Sequence, residues 1–442
     1  MLTFGKIAFY GTLLTICLSA IPYGTTAPVF KAVLCFLVCI FASFRIVDQF
    51  VTERTFRFSG PKIFLPLGGI LLLAALQMFP LPFLSIPISA DPYETKIFII
   101  SLAAVVIAGE TLSHFARTRN SIKALIITVL VIAAVSSLLG LIRDLFLDER
   151  FHIIDRFFSP DTQGYAQFVN RNHFSLLIEM ALGLTLGILL KGRPTNIVKF
   201  ALLVIAGIFV YSAIAANSRG GVISCAVLTA SAVFVHFITK RDRTHSRSSR
   251  DTVPRPLRGW SKVLVATALC LLTIGASIFT IAFVGGDEMI GRMEKIEDEV
   301  SENRMNRLAI WQATGQLIAD HPVLGVGFGA YASGITKYVA RGGGWRMEQA
   351  HNEYLEILAN GGVIALLLFG LSAVFVFHCA LPNFGSRDPL IRSSCFGALV
   401  GMLGVLIHST VDFGLHIMVN SLVCIVLIVI ATSNVSPESR AK

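Results

Sequence analysis

Apolar runs of about 18 or more residues recur along almost the whole chain, each long enough to cross roughly 30 Å of hydrocarbon as a helix. Stretches such as residues 122–142, 197–216 and 262–284 are apolar on every face. A transmembrane β-barrel would alternate polarity along short segments. Helices satisfy every backbone N–H and C=O within lipid, so the spans are predicted to be helical and the fold class all-α and polytopic. Composition supports this, with 54% hydrophobic and only 14% charged residues in 442 and a mean hydropathy of +0.73. A soluble enzyme carrying one membrane anchor is excluded.

About twelve transmembrane helices are expected, near 4–21, 28–45, 62–81, 96–114, 121–142, 173–190, 196–216, 219–239, 262–284, 353–380, 393–411 and 415–433. The first also has the outline of a secretory signal, with Lys6, an apolar stretch and small residues after it. A retained helix is expected there, and cleavage would leave the remaining topology unchanged. With the N-terminus inside, the inner connections hold 23 of the 37 Lys and Arg. Half of the rest fall in the single long stretch 285–352, which the positive-inside rule discounts. Both termini are therefore expected in the cytoplasm, with 285–352 outside.

The net charge of +10 is explained by these inner loops, and nucleic acid is not expected as a partner. Its densest segment, Lys240 to Lys262, includes Arg241, Arg243, Arg247, Arg250, Arg255 and Arg258 among serines and prolines. A disordered cytoplasmic loop beside anionic lipid is expected. All eight cysteines lie inside apolar runs, as small hydrophobes and not a disulfide framework. The chain divides into N-terminal helices (1–160), a core (161–420) containing the 240–262 and 285–352 loops, and a helix end with a cytoplasmic tail (421–442).

A loop as long as 285–352 usually has a function. Its first half places Ile296, Val300, Leu308, Trp311 and Leu317 near helical spacing, as for a helix lying against the membrane, with Arg304, Arg307 and Trp311 on one side. It continues VLGVGFGAY, whose Gly325, Gly327 and Gly329 allow tight turns and close backbone approach to a ligand. It ends in AHNEYLE, which brings His351 and Asn352 to the start of the next span. Histidine is the side chain best suited to act as a base near neutral pH, although at such a position it is more often structural. Arg219, in NSRGG, sits in a short outer turn where positive charge is disfavoured. It reads either as a cation reaching for the interface or as a ligand for phosphate anchored in the outer leaflet.

These residues resemble the O-antigen ligase and polymerase superfamily. SRGG at 218–221, the run from Arg307 through DHPVLGVGFGAY, and HNEYLE followed by Gly361 and Gly362 occur in that family's order. The eleven-residue step from His351 to Gly362 is similar to the ligase group, and that from Arg304 to Gly315 to polymerases; Ala365 departs from the ligase pattern. FVNRNHFSLLIEMALGL and HSTVDFGLH are similar to a subgroup carrying an NRNHF sequence. There Asn170, Arg171, Asn172 and His173 would line the outer mouth, with Glu179 about two turns deeper, either functional or paired with a nearby Arg.

The resemblance implies a GT-C-like membrane glycosyltransferase whose outer, periplasmic loop caps a lateral cavity. It would transfer a glycan from an undecaprenyl-diphosphate-linked donor to a hydroxyl of a glycan, lipid A-core or protein acceptor, with inversion at the anomeric carbon. Arg219 and Arg307 would stabilise the diphosphate, Arg304 being able to replace Arg307. His351 would take the acceptor's proton, and Asn352, Arg171, Asn172, His173 and Glu179 would contribute to binding. No cofactor is expected. His408, Asp412 and His416 recur every four residues and could share a helical face, but a hydrogen-bond network is expected there in place of a metal. The alternatives are a protein O-glycosyltransferase of the same superfamily and a transporter or flippase of lipid-linked sugars; transporters place ionisable groups nearer the bilayer midplane.

Overall fold

The computed structural model describes residues 3–21, 27–80, 88–146, 164–239, 307–339 and 347–435. The described residues form helices: α1 (Phe4–Ser19), α2 (Pro28–Glu53), α3 (Pro61–Gln77), α4 (Pro92–Phe115), α5 (Arg119–Phe146), α6 (Arg171–Lys191), α7 (Asn196–Ala215), α8 (Arg219–Ile238), α9 (Arg307–Asp320), α10 (Glu353–Phe384), α11 (Pro389–His408) and α12 (Met418–Thr432). Among the described residues, eight helices are long and apolar enough to cross a membrane. Three shorter apolar ones, at Phe4–Ser19, Lys62–Gln77 and Met418–Thr432, occupy further predicted positions. The chain is an all-helical polytopic membrane protein. The helix predicted at 262–284, the basic loop 240–262, and Ile296, Val300 and Arg304 lie outside the described residues.

Two boundaries differ from expectation for physical reasons. α2 continues eight residues past 45 because its polar extension is internally satisfied. Arg45 Nη2 donates to Glu110 Oε1 at 3.0 Å and Gln49 Nε2 to the Arg57 carbonyl at 3.3 Å. The span expected at 415–433 is broken, because a short 3-10 turn at Gly414–His416 precedes α12.

α6 is the central column, buried along nearly its whole length. It meets α11 backbone to backbone. A Cβ on Gly183 would lie 2.3 Å from Gly401 N, and one on Gly187 would lie 2.3 Å from Gly397 Cα. Small residues that admit such approach are how membrane helices associate when both lipid and protein are apolar. Outward positions such as Phe36, Ile197 and Leu367 are exposed hydrophobics that suit lipid.

The starts of α4, α6, α8, α10 and α12 and the ends of α3 and α11 share one end of the bundle, the upper end. Three of those starts are capped by side chains from the motifs read in the sequence. Asn170 Oδ1 accepts from Asn172 N at 2.8 Å, Ser218 Oγ from Gly221 N at 3.1 Å, and Asn352 Oδ1 from Tyr354 N at 3.0 Å and Leu355 N at 3.1 Å. Each cap satisfies amides the helix leaves open and turns the preceding chain across the bundle end. At the lower end, Gly5 N donates to Asp48 Oδ1 at 2.8 Å and Arg392 Nη2 to the Lys191 carbonyl at 3.1 Å.

Candidate functional site

The α9 region and the glycine-rich segment after it are seated on α10. Gly362 lies inside α10 at φ 64°, ψ −165°, and kinks it. There Val363 N donates to the Pro322 carbonyl at 2.8 Å, and a Cβ on Gly362 would meet the Val323 carbonyl oxygen at 2.1 Å. The eleven-residue step from His351 thus separates the start of α10 from the point where the outer segment rests on it. Gln77, at the end of α3, closes the seat. Its amide donates to the carbonyls of Leu324 (2.6 Å) and Asn360 (2.9 Å), while its Oε1 accepts from Phe328 N at 3.1 Å. Gly325, Gly327 and Gly329 all have positive φ. The close approach they permit is to Asn360, Ser89 and Glu94 of the protein, a correction to the expectation that it serves a ligand.

α9 packs on protein as well as presenting a face outward. Ile310, Ala313, Thr314 and Leu317 are buried, Leu308 is exposed, and Trp311 Nε1 donates to the Ala350 carbonyl at 3.0 Å. Ala350 N donates to Glu356 Oε2 at 3.0 Å. Between these fixed points His351 has φ 51°, left-handed backbone that costs a non-glycine residue on the order of 1 kcal/mol. Neighbouring bonds hold it there. Asn352 Nδ2 donates to the Thr410 carbonyl at 2.9 Å and Glu353 N to that of Ser409 at 2.9 Å, tying the start of α10 to the turn after α11.

That turn carries Asp412, and three histidines from three elements face it. His351 Nδ1 lies 3.6 Å from Oδ1, while His173 Nε2 and His408 Nε2 each lie 3.9 Å from Oδ2. Asp412 is fully buried and His351 about a third exposed. Phe413 packs edge-on against His173, His351 and His416. Burial, the largest influence on Asp412, works against its charge. The close approach of His351 and the fields of His173 and His408 outweigh it and hold the carboxyl at about 2.

Below, Glu179 is not paired with an arginine: His408 Nδ1 is 2.6 Å from Glu179 Oε1, both side chains fully buried. His408, Asp412 and His416 do not share a helical face. α11 ends at His408, Asp412 follows in a turn, and the 3-10 turn directs His416 to Glu353 (3.4 Å) and Glu356 (3.6 Å). His416 is exposed, and the two carboxylates push its ring up to about 9. Among the described residues, no group of three or more His, Cys, Asp or Glu is arranged to hold a metal ion.

The sequence-selected residues largely converge at this end. Ser218 Oγ donates to Asn172 Oδ1 at 2.8 Å, joining SRGG to NRNH, and Asn420 Nδ2 donates to the His173 carbonyl at 3.0 Å. A Cβ on Gly220, next to Arg219, would lie 4.0 Å from the His408 ring. Arg307 is close enough to act electrostatically on His408. Arg219 and Arg307 are exposed, and neither has an ion-pair partner among the described residues. Asn172 is half-buried within the network and His173 is buried, its ring turned to Asp412 and Phe413. Arg171 is half-buried at the start of α6. Gly315, matched by its spacing from Arg304, has nothing within 4 Å of its Cβ direction. Asp412 is the residue that sequence reasoning undervalued. Its sequence context points to a hydrogen-bond network in place of a metal, without a role beside His351; the available signal is HSTVDFGLH read beside NRNHF as one site.

No curated protein matches the chain. Residues 201–370 match the family model described as O-Antigen ligase, a stretch running from within α7 through Arg219, Arg307, His351 and Gly362 into α10. His173, Glu179, His408 and Asp412 lie outside the matched residues. Residues 201–370 are therefore similar to the O-antigen ligase family, which supports the resemblance to the O-antigen ligase and polymerase superfamily, whose members are glycosyltransferase-like enzymes.

Proposed function

We propose that the chain transfers a glycan from undecaprenyl diphosphate to an acceptor hydroxyl at the outer face of a bacterial plasma membrane, with both termini cytoplasmic and the upper end outward. One observation carries the reading: a partly exposed His351 backed by the ionised Asp412, on the same end of the bundle as two exposed guanidiniums, Arg219 and Arg307, that have no ion-pair partner among the described residues.

Each group has a separate task. The acceptor oxygen bonds to the anomeric carbon as that carbon's bond to the diphosphate oxygen breaks. The electron pair leaves on the diphosphate, and the acceptor proton passes to His351. Direct displacement inverts the anomeric centre. With Nδ1 turned to Asp412, the other ring nitrogen, Nε2, is the one to accept the proton, and the aspartate stabilises the imidazolium that forms. Arg219 and Arg307 meet the charge on the leaving group with fixed, forked donors, a role for which no divalent ion is needed. Arg304, outside the described residues, is the arginine that could take over the task of Arg307. Asn352, Asn172 and Ser218 hold the rim by capping and cross-linking the helices that carry the reacting groups, and His173 supports Asp412.

The test is removal of the gene followed by identification of the missing surface glycan and of the lipid-linked glycan that accumulates. Accumulation of an undecaprenyl-diphosphate-linked glycan supports the reading. Loss of export of such a glycan to the outer leaflet would favour a transporter instead.

A further inference from the structure

Beneath Asp412, α6 and α11 place a carboxylate and an imidazole in contact where lipid-embedded helices rarely carry either. Glu179 and His408 are 0% and 1% exposed, and His408 Nδ1 donates to Glu179 Oε1 across 2.6 Å. The pair is not required to hold the two helices together, because the Gly183–Gly401 and Gly187–Gly397 contacts already join them backbone to backbone just below. A buried ion pair is weak grounds for stability in any case, since apolar side chains of similar volume often do as well. Its orientation is informative. With Nδ1 committed to Glu179, His408 presents Nε2 to Asp412, whose other oxygen faces His351. The Nε2 atoms of His408 and His173, Nδ1 of His351, Oε2 of Glu179 and both Asp412 oxygens are buried without a hydrogen-bond partner among the described residues.

We propose that Glu179 and His408 are positioning residues for the transfer reaction: Glu179 engages Nδ1 of His408 and so turns its Nε2 toward Asp412, and this backing limits how tightly Asp412 holds the proton on His351. This rests on the reading in which His351 takes the acceptor's proton. The charged and titratable surroundings are His173, Glu179 and Cys225 from α6 and α8, Arg307 from α9, Glu353 and Glu356 from α10, His408 from α11, and His416, which also faces Lys31 of α2. Within this set His351, His173 and His408 are the groups that face Asp412, and Glu179 reaches it through His408.

The sign of the effect follows. Replacing Glu179 with Gln removes the carboxylate that His408 Nδ1 faces, so His408 offers Asp412 less positive charge. Asp412 is then less compensated and draws more strongly on His351, which stays protonated to higher pH. His351→Ala transfer measurements test the underlying reading, whereas this inference is read without any substrate. Diethyl pyrocarbonate reacts with neutral imidazole, and His351 is partly exposed, so the pH dependence of its modification can be followed by peptide mass spectrometry on the full chain in lipid nanodiscs. The expected midpoint for His351 rises by on the order of one pH unit in Glu179→Gln and in His408→Gln, with no further rise in the double variant. Glu179→Asp should restore part of the wild-type value. If Glu179→Gln does not accumulate, His408→Gln reads the same coupling from the other partner. An unchanged midpoint in either folded single variant would overturn the proposal, even if His351→Ala abolishes transfer.

Discussion

His351 Nδ1 and Asp412 Oδ1 face each other across 3.6 Å, joining the first turn of α10 to the turn that follows α11. Neither helix alone would bring them together. Asn352, reaching the Thr410 carbonyl, and Glu353 N, reaching that of Ser409, fix the approach. Asp412→Asn should therefore leave the fold in place and lower transfer by about 100-fold or more, because the amide no longer stabilises an imidazolium. The carboxyl is held at about 2, below its ordinary value of 3.8. Its stabilising contribution is present above pH 4 and lost as pH falls through about 2. Asp412 therefore stays ionised between pH 7 and 5, and any decline in wild-type activity over that interval arises from another group. A pH–rate profile of both proteins, with membrane content quantified, checks this.

Arg219→Ala and Arg307→Ala should each reduce transfer by about 100-fold or more without loss from the membrane, since each guanidinium is exposed and has no ion-pair partner among the described residues. Lysine should rescue poorly, as it offers a point charge in place of a fork. Near-normal transfer by either alanine variant in reconstituted protein would remove that arginine from the mechanism.

Gly362→Ala and Gly315→Ala separate packing from spacing. At Gly362 a Cβ meets a backbone carbonyl oxygen at 2.1 Å with φ at 64°, so the alanine variant should lose more than about 3 kcal/mol and fail to accumulate. At Gly315, exposed in α9 with nothing nearby, alanine should be neutral or stabilising by up to about 1 kcal/mol. Thermal unfolding in detergent distinguishes them.

His416 is pushed up to about 9 by Glu353 and Glu356. Because its folded value lies above the ordinary 6.5, its contribution to stability is complete below pH 6.5 and is lost as pH rises through about 9. The unfolding temperature of the wild type should fall between pH 7 and 9.5. His416→Asn should start lower and change less over that interval.

The spans and the order of the motifs were legible in the sequence because lipid imposes length and apolarity on each helix and because Arg219, Arg307 and His351 stand out in apolar surroundings. What could not be read was which polar groups meet. Glu179 pairs with His408, 229 residues away, through a helix contact set by glycines that look unremarkable in sequence. The three glycines of VLGVGFGAY resembled a ligand loop, but their free Cα faces are used by α10, Ser89 and Glu94. Asp412 was hidden by an apparent four-residue period that the end of α11 and the 3-10 turn interrupt.

The central claim is that this end of the bundle discharges a lipid-diphosphate-linked glycan through His351. Its most direct measurement is the amount of undecaprenyl-diphosphate-linked glycan in membranes of a strain lacking the gene, complemented with wild type or with His351→Ala at equal membrane levels, with and without EDTA in spheroplasts. The account predicts that wild type clears the accumulated glycan in both conditions and that His351→Ala leaves it in place. Clearance by His351→Ala at the wild-type rate, or a wild-type activity lost to EDTA and restored by a divalent ion, would contradict it.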